Sequence, residues 1–125
     1  SPMADNDHID MYAAYGFSPH VAAGGLVFFS GVLGVGPGGQ VPADPRQQYD
    51  LAFAALDAVL ANAGVRKDQL VDLQTFHVRY PENMDAFMAA KSAYLGHIRP
   101  AWTAIGIATL GTPESLVEIR AVARQ

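Results

Sequence analysis

Cysteine is absent from this 125-residue chain. Disulfide bridges, iron–sulfur clusters, thiolate zinc sites and cysteine nucleophiles are therefore excluded. Charged residues are also scarce, at 16% of the chain against about 25% in an average soluble domain. Because half of the residues are hydrophobic, the chain can bury enough apolar surface to fold, and disorder is excluded. The length predicts one domain, and the low charge indicates that part of its surface is buried in an oligomer.

A basic excess is missing as well, since the formal net charge is −4. Proteins that bind nucleic acid usually carry a positive excess, so we expect no nucleic-acid partner. Residues 11–43 contain no charged side chain, but their glycines and prolines are incompatible with a membrane-spanning helix. No basic leader precedes them; Met3 has the character of a natural start, and Ser1-Pro2 that of a tag remnant. We expect a cytoplasmic protein without membrane association.

Motifs for metals, nucleotides and serine hydrolases are absent or incomplete. No two histidines have metal-ligand spacing, so no metal is expected. Residues 34–39 match G-x-G-x-x-G, but Gln40-Val41-Pro42 follows where the last glycine should open a helix, which argues against a nucleotide cofactor. Ser30 lies outside any G-x-S-x-G elbow, so it either ends its strand or faces a ligand. His20 adjoins a glycine-rich bend and is a further candidate pocket residue.

Hydrophobic periodicity predicts the order β-β-α-β-α-β-β. Residues 1–14 form a lead-in and 15–125 a single domain; the strands are expected at 15–20, 26–31, 70–80, 101–110 and 116–123, and the helices at 45–63 and 81–99. This order predicts an α+β fold, with a mostly antiparallel sheet and two helices on one face. Neither side of the fourth strand is markedly polar, so we expect a homo-oligomer in which sheets face each other.

Two charged residues interrupt apolar patterns. Lys91 lies in the middle of the apolar stripe of the second helix, where its ammonium either extends to solvent or binds an anion in a polar cleft. Glu118 lies within the last strand, on the same face as Arg120. Glu118 either forms a salt bridge with Arg120 or serves as a general acid or base, since apolar neighbours raise the pKa of a carboxyl group.

The sequence resembles the RidA/YjgF family, also labelled endoribonuclease L-PSP, from about Tyr15 to Ala123. The resemblance is carried by five segments, at residues 26–31, 41–44, 63–65, 99–101 and 116–123. It implies a chorismate-mutase-like fold and a homotrimer whose sheets form a central barrel, with ligand clefts between subunits. Active members of the family hydrolyse enamines and imines, such as 2-aminoacrylate, to keto acids and ammonia without a cofactor.

Family residues transfer to this chain only in part. The serine, glycine and glutamate of the family match Ser30, Gly31 and Glu118. The arginine that clamps the substrate carboxylate is missing, because its Pro-Ala-Arg motif is replaced by Pro100-Ala101-Trp102. A family tyrosine aligns with Phe17 or Ser18, and a frequent asparagine aligns with Lys91. Tryptophan cannot form the paired hydrogen bonds of an arginine with a carboxylate, so 2-aminoacrylate is expected to be a poor substrate.

These residues predict a hydrolase or deaminase for a different enamine or imine. Glu118 would steer the water, Ser30 and Gly31 would hold the substrate, and Trp102 with Thr103 would shape the pocket. Lys91 or Arg99 would supply a relocated cation. The alternative is a non-catalytic trimer that binds a small molecule or acts like a chaperone. A ribonuclease, suggested by the old label alone, is opposed by the acidic charge.

Overall fold

A computed structural model describes residues 11–125. The predicted lead-in and tag remnant therefore lie largely outside the described residues. The elements are β1 (His20–Ala23), β2 (Leu26–Phe29), β3 (Val32–Leu33), α1 (Pro45–Asn62), a 3-10 turn (Lys67–Gln69), β4 (Leu70–Val78), α2 (Met84–Leu95), β5 (Ala101–Ile107) and β6 (Val117–Arg124). Residues 11–15 are also helical.

The strands form one sheet in the order β1-β2-β6-β4-β5, and the short β3 also pairs with β6. Only β4 and β5 run parallel; the other pairs are antiparallel. Both helices pack on one face of the sheet, where their apolar side chains form the core with alternate strand residues. The predicted α+β class, with an antiparallel-dominated sheet and helices on one face, is confirmed.

Helix α1 begins where its sequence indicates. The Asp44 carboxylate accepts a hydrogen bond from the Gln47 backbone N–H at 2.9 Å, and Pro45 occupies the first turn. The side chains predicted to face the core are buried at Tyr49, Phe53 and Leu56. Helix α1 lies across β6 and β3. It therefore supports β6, the strand that carries Glu118, on the helix-covered face of the sheet.

Several boundaries differ from the prediction. The strand expected at 15–20 is wrong, because residues 11–15 are helical and the first strand begins at His20. Helix α2 ends at Leu95 and not at 99, since Gly96 adopts a positive φ of 58° that ends the helix. The two-residue strand β3 was not predicted. No helix among residues 11–125 is long and apolar enough to cross a membrane.

Candidate functional site

A cavity of about 550 Å³ lies on the sheet face that the helices leave open. It is lined by five of the predicted site residues, together with apolar side chains of three strands and Arg120. The predicted residues in its wall are Phe17, Ser18, Ser30, Gly31 and Glu118. Residues far apart in the chain thus meet at this cavity, and its lining combines one carboxyl group, hydroxyls and aromatic rings.

Ser30 lies at the end of β2, where the chain leaves the sheet. Its hydroxyl donates a hydrogen bond to the Ser18 carbonyl at 2.6 Å, and its backbone N–H donates to the Pro19 carbonyl at 3.0 Å. These two bonds fix the segment before β1 against the cavity. A serine hydroxyl has one hydrogen, so with that hydrogen directed at Ser18, Ser30 offers an acceptor to a ligand.

Gly31, which follows Ser30 in the chain, packs directly against Glu118. A Cβ added at Gly31 would lie 2.6 Å from the carboxyl carbon of Glu118, so glycine leaves the space that the carboxylate occupies. On the sheet, Glu118 is flanked by Phe76 of β4 and Leu33 of β3. Burial among these neighbours raises the pKa of the Glu118 carboxyl group. A carboxyl group in such surroundings is suited to exchanging a proton with water or substrate.

The structural alternative for Glu118 was a salt bridge with Arg120. Among the ion pairs of residues 11–125 this one does not occur, and Arg120 is exposed on the same face of β6. Arg120 lines the cavity together with Glu118. Within residues 11–125, the Glu118 carboxylate therefore lines the cavity without a salt-bridge partner.

Trp102 and Lys91 lie on the other, helix-covered face of the sheet. The Trp102 indole N–H donates to the Thr75 hydroxyl at 2.9 Å, and the ring packs near Phe87 of α2. The Lys91 ammonium lies 4.3 Å from the centre of the indole ring, which is a cation–π distance. Burial lowers the pKa of the Lys91 ammonium. Within one chain, Trp102 and Lys91 therefore do not meet Glu118.

The remaining candidates are scattered. Thr103 is exposed on the open face, next to Gln74 of β4, and Arg99 is exposed in the loop before β5. His20 packs its ring 5.8 Å from Phe29 and is not one of the residues that line the cavity. In the part of the chain from residue 11 onward, no cluster of three or more His, Asp or Glu side chains is placed to hold a metal.

Sequence reasoning missed Gln48, which supports the site from below. Its side chain is buried and accepts a hydrogen bond from the Leu116 N–H at 2.6 Å. It also donates to the carbonyls of Pro42 at 3.1 Å and Glu114 at 3.3 Å. Gln48 thereby ties α1 to the entry of β6, two residues before Glu118. A polar residue next to Tyr49 on the buried face of α1 was the signal available in the sequence.

The chain is similar to known proteins in both sequence and fold. The profile of the endoribonuclease L-PSP family matches residues 8–125. RutC family protein YjgH of Escherichia coli K12 is 34% identical over 116 residues, which cover 91% of this chain and 86% of that protein. A solved structure of protein YjgH is 33% identical with a TM-score of 0.81, covering 91% of this chain and 87% of its own.

The fold is also shared with a ligand-bound structure. Escherichia coli TdcF with bound serine is 22% identical with a TM-score of 0.80, covering 87% of each chain, a likeness that establishes the fold alone. The chorismate-mutase-like architecture is thus confirmed. The profile match over nearly the whole chain, together with the 34% identity to YjgH, shows that the chain belongs to the RidA/YjgF family, also named endoribonuclease L-PSP.

Proposed function

We propose that this protein is a cofactor-independent hydrolase of enamines or imines, with its ligand site in clefts between subunits. The observation that carries the proposal is the half-buried Glu118 carboxyl group. It lies against Gly31 and faces a cavity that also contains Ser30. A carboxyl group with a raised pKa beside a ligand-sized space is an expected feature of general acid–base catalysis.

The reaction consumes one water and releases ammonia. Glu118 accepts a proton from the water as its oxygen bonds to the imine carbon, and the C=N double bond becomes a single bond. Glu118 returns this proton to the nitrogen, which gives a neutral amino alcohol. As the C=O bond forms, Glu118 takes the proton of the hydroxyl group and passes it to the nitrogen, which leaves as ammonia. The carboxylate is regenerated, and imine plus water give a carbonyl compound plus ammonia.

The Ser30 hydroxyl is suited to binding a substrate that carries an N–H group. Because the Ser30 hydrogen is directed at Ser18, its hydroxyl oxygen presents a lone pair to the cavity. A protonated imine or the amino alcohol has N–H donors that match this acceptor. The Ser18 carbonyl holds the hydroxyl in that orientation.

The tryptophan at position 102 is the reason to propose a substrate other than 2-aminoacrylate. The resemblance implies an arginine that clamps a carboxylate at the position of Trp102, so a small substrate that depends on that clamp would lose its main anchor here. Lys91 lies over Trp102 and provides the cation at this location. We therefore propose a bulkier or less acidic imine, with Trp102, Lys91 and Thr103 contributed to the cleft by the neighbouring subunit.

The cleft requires a homotrimer. On the open face of the sheet, Val21 is 55% exposed, Phe28 38% and Ile105 40% in the isolated chain. Burying these side chains against partner sheets would remove apolar surface from water, at about 25 cal/mol per Å². Sedimentation equilibrium tests this part of the proposal: a mass three times 13.3 kDa supports it, and a monomer contradicts it.

Ammonia release from a panel of freshly generated imines tests the catalytic proposal. Wild type is compared with Glu118→Ala and with Glu114→Ala, which removes an exposed carboxylate that does not line the cavity. We expect wild type and Glu114→Ala to be equally active, and Glu118→Ala to be slower by about 10²-fold or more. Full activity in Glu118→Ala would reject the mechanism. An inert wild type whose melting temperature rises with an imine analogue would favour the non-catalytic binding trimer.

A further inference from the structure

Four side chains form a connected cluster between the sheet and α2. Thr75 and His77 point from β4, Trp102 from β5 and Lys91 from α2. Thr75 is 0% exposed and His77 is 1% exposed. The Thr75 hydroxyl oxygen lies 2.9 Å from the Trp102 indole nitrogen and 2.7 Å from His77 Nε2, so a single oxygen links both rings.

The direction of these two hydrogen bonds follows from the donors available. An indole N–H can only donate, so the Thr75 oxygen is the acceptor toward Trp102. The single hydrogen of Thr75 then has His77 Nε2 as its acceptor, which places the imidazole hydrogen on Nδ1. In the opposite tautomer, Nε2–H would donate to Thr75, and both the Thr75 hydrogen and the Nδ1 lone pair would lack partners within residues 11–125. The first arrangement leaves only the Nδ1–H without a partner among these residues. Because each buried unpaired polar group costs about 1–3 kcal/mol, the first arrangement is favoured.

The opposite side of the cluster is closed by α2. The Phe87 ring meets the His77 ring edge-on at 4.6 Å and lies 6.1 Å from the Trp102 ring. Lys91 follows Phe87 by one helical turn, and its ammonium lies 4.3 Å from the centre of the indole. The indole is thus hydrogen-bonded from the sheet and covered from the helix, which leaves it one orientation.

We propose that Thr75 and His77 are positioning residues that fix the indole of Trp102, and through it the substrate range of the site. The chain of hydrogen bonds runs from Trp102 to Thr75 to a neutral, Nδ1-protonated His77. The effect on substrate range rests on the function proposed above, in which Trp102 lines the cleft. The positioning itself is a property of the folded chain and does not depend on that function.

Nuclear magnetic resonance tests the tautomer of His77 in the wild-type protein. Long-range ¹H–¹⁵N correlation spectra of the ¹⁵N-labelled wild-type protein at pH 7 distinguish imidazoles protonated on Nδ1 from those protonated on Nε2. We expect the Nδ1–H pattern for His77, assigned by its disappearance in His77→Phe. An Nε2–H or rapidly exchanging pattern would overturn the proposed direction of the chain.

Fluorescence tests the positioning, because Trp102 is the only tryptophan of the sequence. Thr75→Val keeps the side-chain shape and removes the hydroxyl, whereas Thr75→Ser keeps the hydroxyl. We expect Thr75→Val to weaken the near-ultraviolet circular dichroism of the indole and to increase its quenching by acrylamide, with Thr75→Ser close to wild type. An indole signal in folded Thr75→Val identical to that of wild type would refute the positioning role. If Thr75→Val does not fold, His77→Phe removes the acceptor instead and is expected to show the same change.

Kinetics separate the positioning from the proposed function. For an imine that the wild type hydrolyses, we expect Thr75→Val to raise KM roughly 10-fold. We expect kcat and the pH dependence set by Glu118 to stay unchanged. An unchanged KM for every imine would refute the link between these residues and substrate range. If wild type hydrolyses none of the imines while the indole signals respond as expected, the hydrolase proposal fails and the positioning stands.

Discussion

The carboxyl group of Glu118 occupies the space that a side chain at position 31 would fill. It approaches the Gly31 Cα so closely that an added Cβ would lie 2.6 Å from Glu118 Cδ and 2.8 Å from Cγ. Gly31 has no positive φ, so the requirement for glycine there comes from Glu118 and not from the backbone. Position 31 therefore sets where the proposed catalytic carboxylate can stand.

Gly31→Ala is expected to displace Glu118 while leaving the fold intact. The alanine methyl group would force the carboxylate to move by about an ångström, and misplacement on this scale lowers activity by about 10²-fold. The measurement is kcat/KM for the imine with the highest wild-type rate. Gly111→Ala is the control, since a Cβ there meets no other atom within 4 Å. Equal activity in the two variants would show that the position of Glu118 does not matter.

Glu118→Gln is expected to stabilise the protein at neutral pH. Burial raises the pKa of Glu118 in the folded state, so the charged carboxylate is disfavoured there and its cost grows as the pH rises through that pKa. The neutral amide removes this cost at pH 7.5. The melting temperature of Glu118→Gln should therefore exceed that of wild type at pH 7.5, and the difference should shrink as the pH falls below the ordinary glutamate value. Glu114→Gln should show no gain, and a lower melting temperature for Glu118→Gln at pH 7.5 would contradict this prediction.

His77 is expected to make the fold sensitive to acid. Burial lowers its pKa from 6.5 to about 4, so between these values the unfolded chain binds a proton that the folded chain does not. Stability is therefore fully present above pH 6.5 and is lost as the pH falls toward 4, by about 3 kcal/mol from this residue. Urea unfolding at pH 7.5 and pH 4.5 measures the loss. His77→Phe should lose less between the two pH values than wild type does, and equal losses would show that His77 is not responsible.

Gln48→Met is expected to destabilise the fold by about 2–4 kcal/mol, because the Leu116 N–H and two carbonyls would lose their buried partner. Gln47→Met is the matched control, since Gln47 is exposed. The free energy of unfolding in urea gives the comparison. A loss below about 0.5 kcal/mol, the size typical of surface substitutions, would mean that Gln48 does not hold the entry of β6.

Local patterns in the sequence were enough to predict part of this structure. The cap at Asp44 and the apolar face of α1 depend on residues three and four apart, so they could be predicted directly. Alternation along β6 correctly placed Glu118 and Arg120 on one face. The two-residue β3 is too short to give a pattern, and the helical conformation of residues 11–15 was missed because five residues are too few to show a helical period.

The surroundings of Trp102 depend on contacts that the sequence does not contain locally. Alternation separates Trp102 from Thr103, but it does not tell which of the two faces the helices will cover. That choice depends on α2 and on Thr75, which lies 27 residues earlier in the chain. The close approach of Gly31 to Glu118 is likewise a contact between distant segments. The family resemblance predicts that these two residues belong to one site, whereas periodicity does not.

Hydrolysis rates for two substrates in two proteins test the central claim most directly. Wild type and Trp102→Arg would each be given freshly generated 2-aminoacrylate and a bulkier, less acidic imine, and ammonia release would be followed. We predict that wild type hydrolyses the bulky imine faster, and that Trp102→Arg shifts the preference toward 2-aminoacrylate. Wild type that favours 2-aminoacrylate, with no change of preference in Trp102→Arg, would contradict a substrate range set by Trp102.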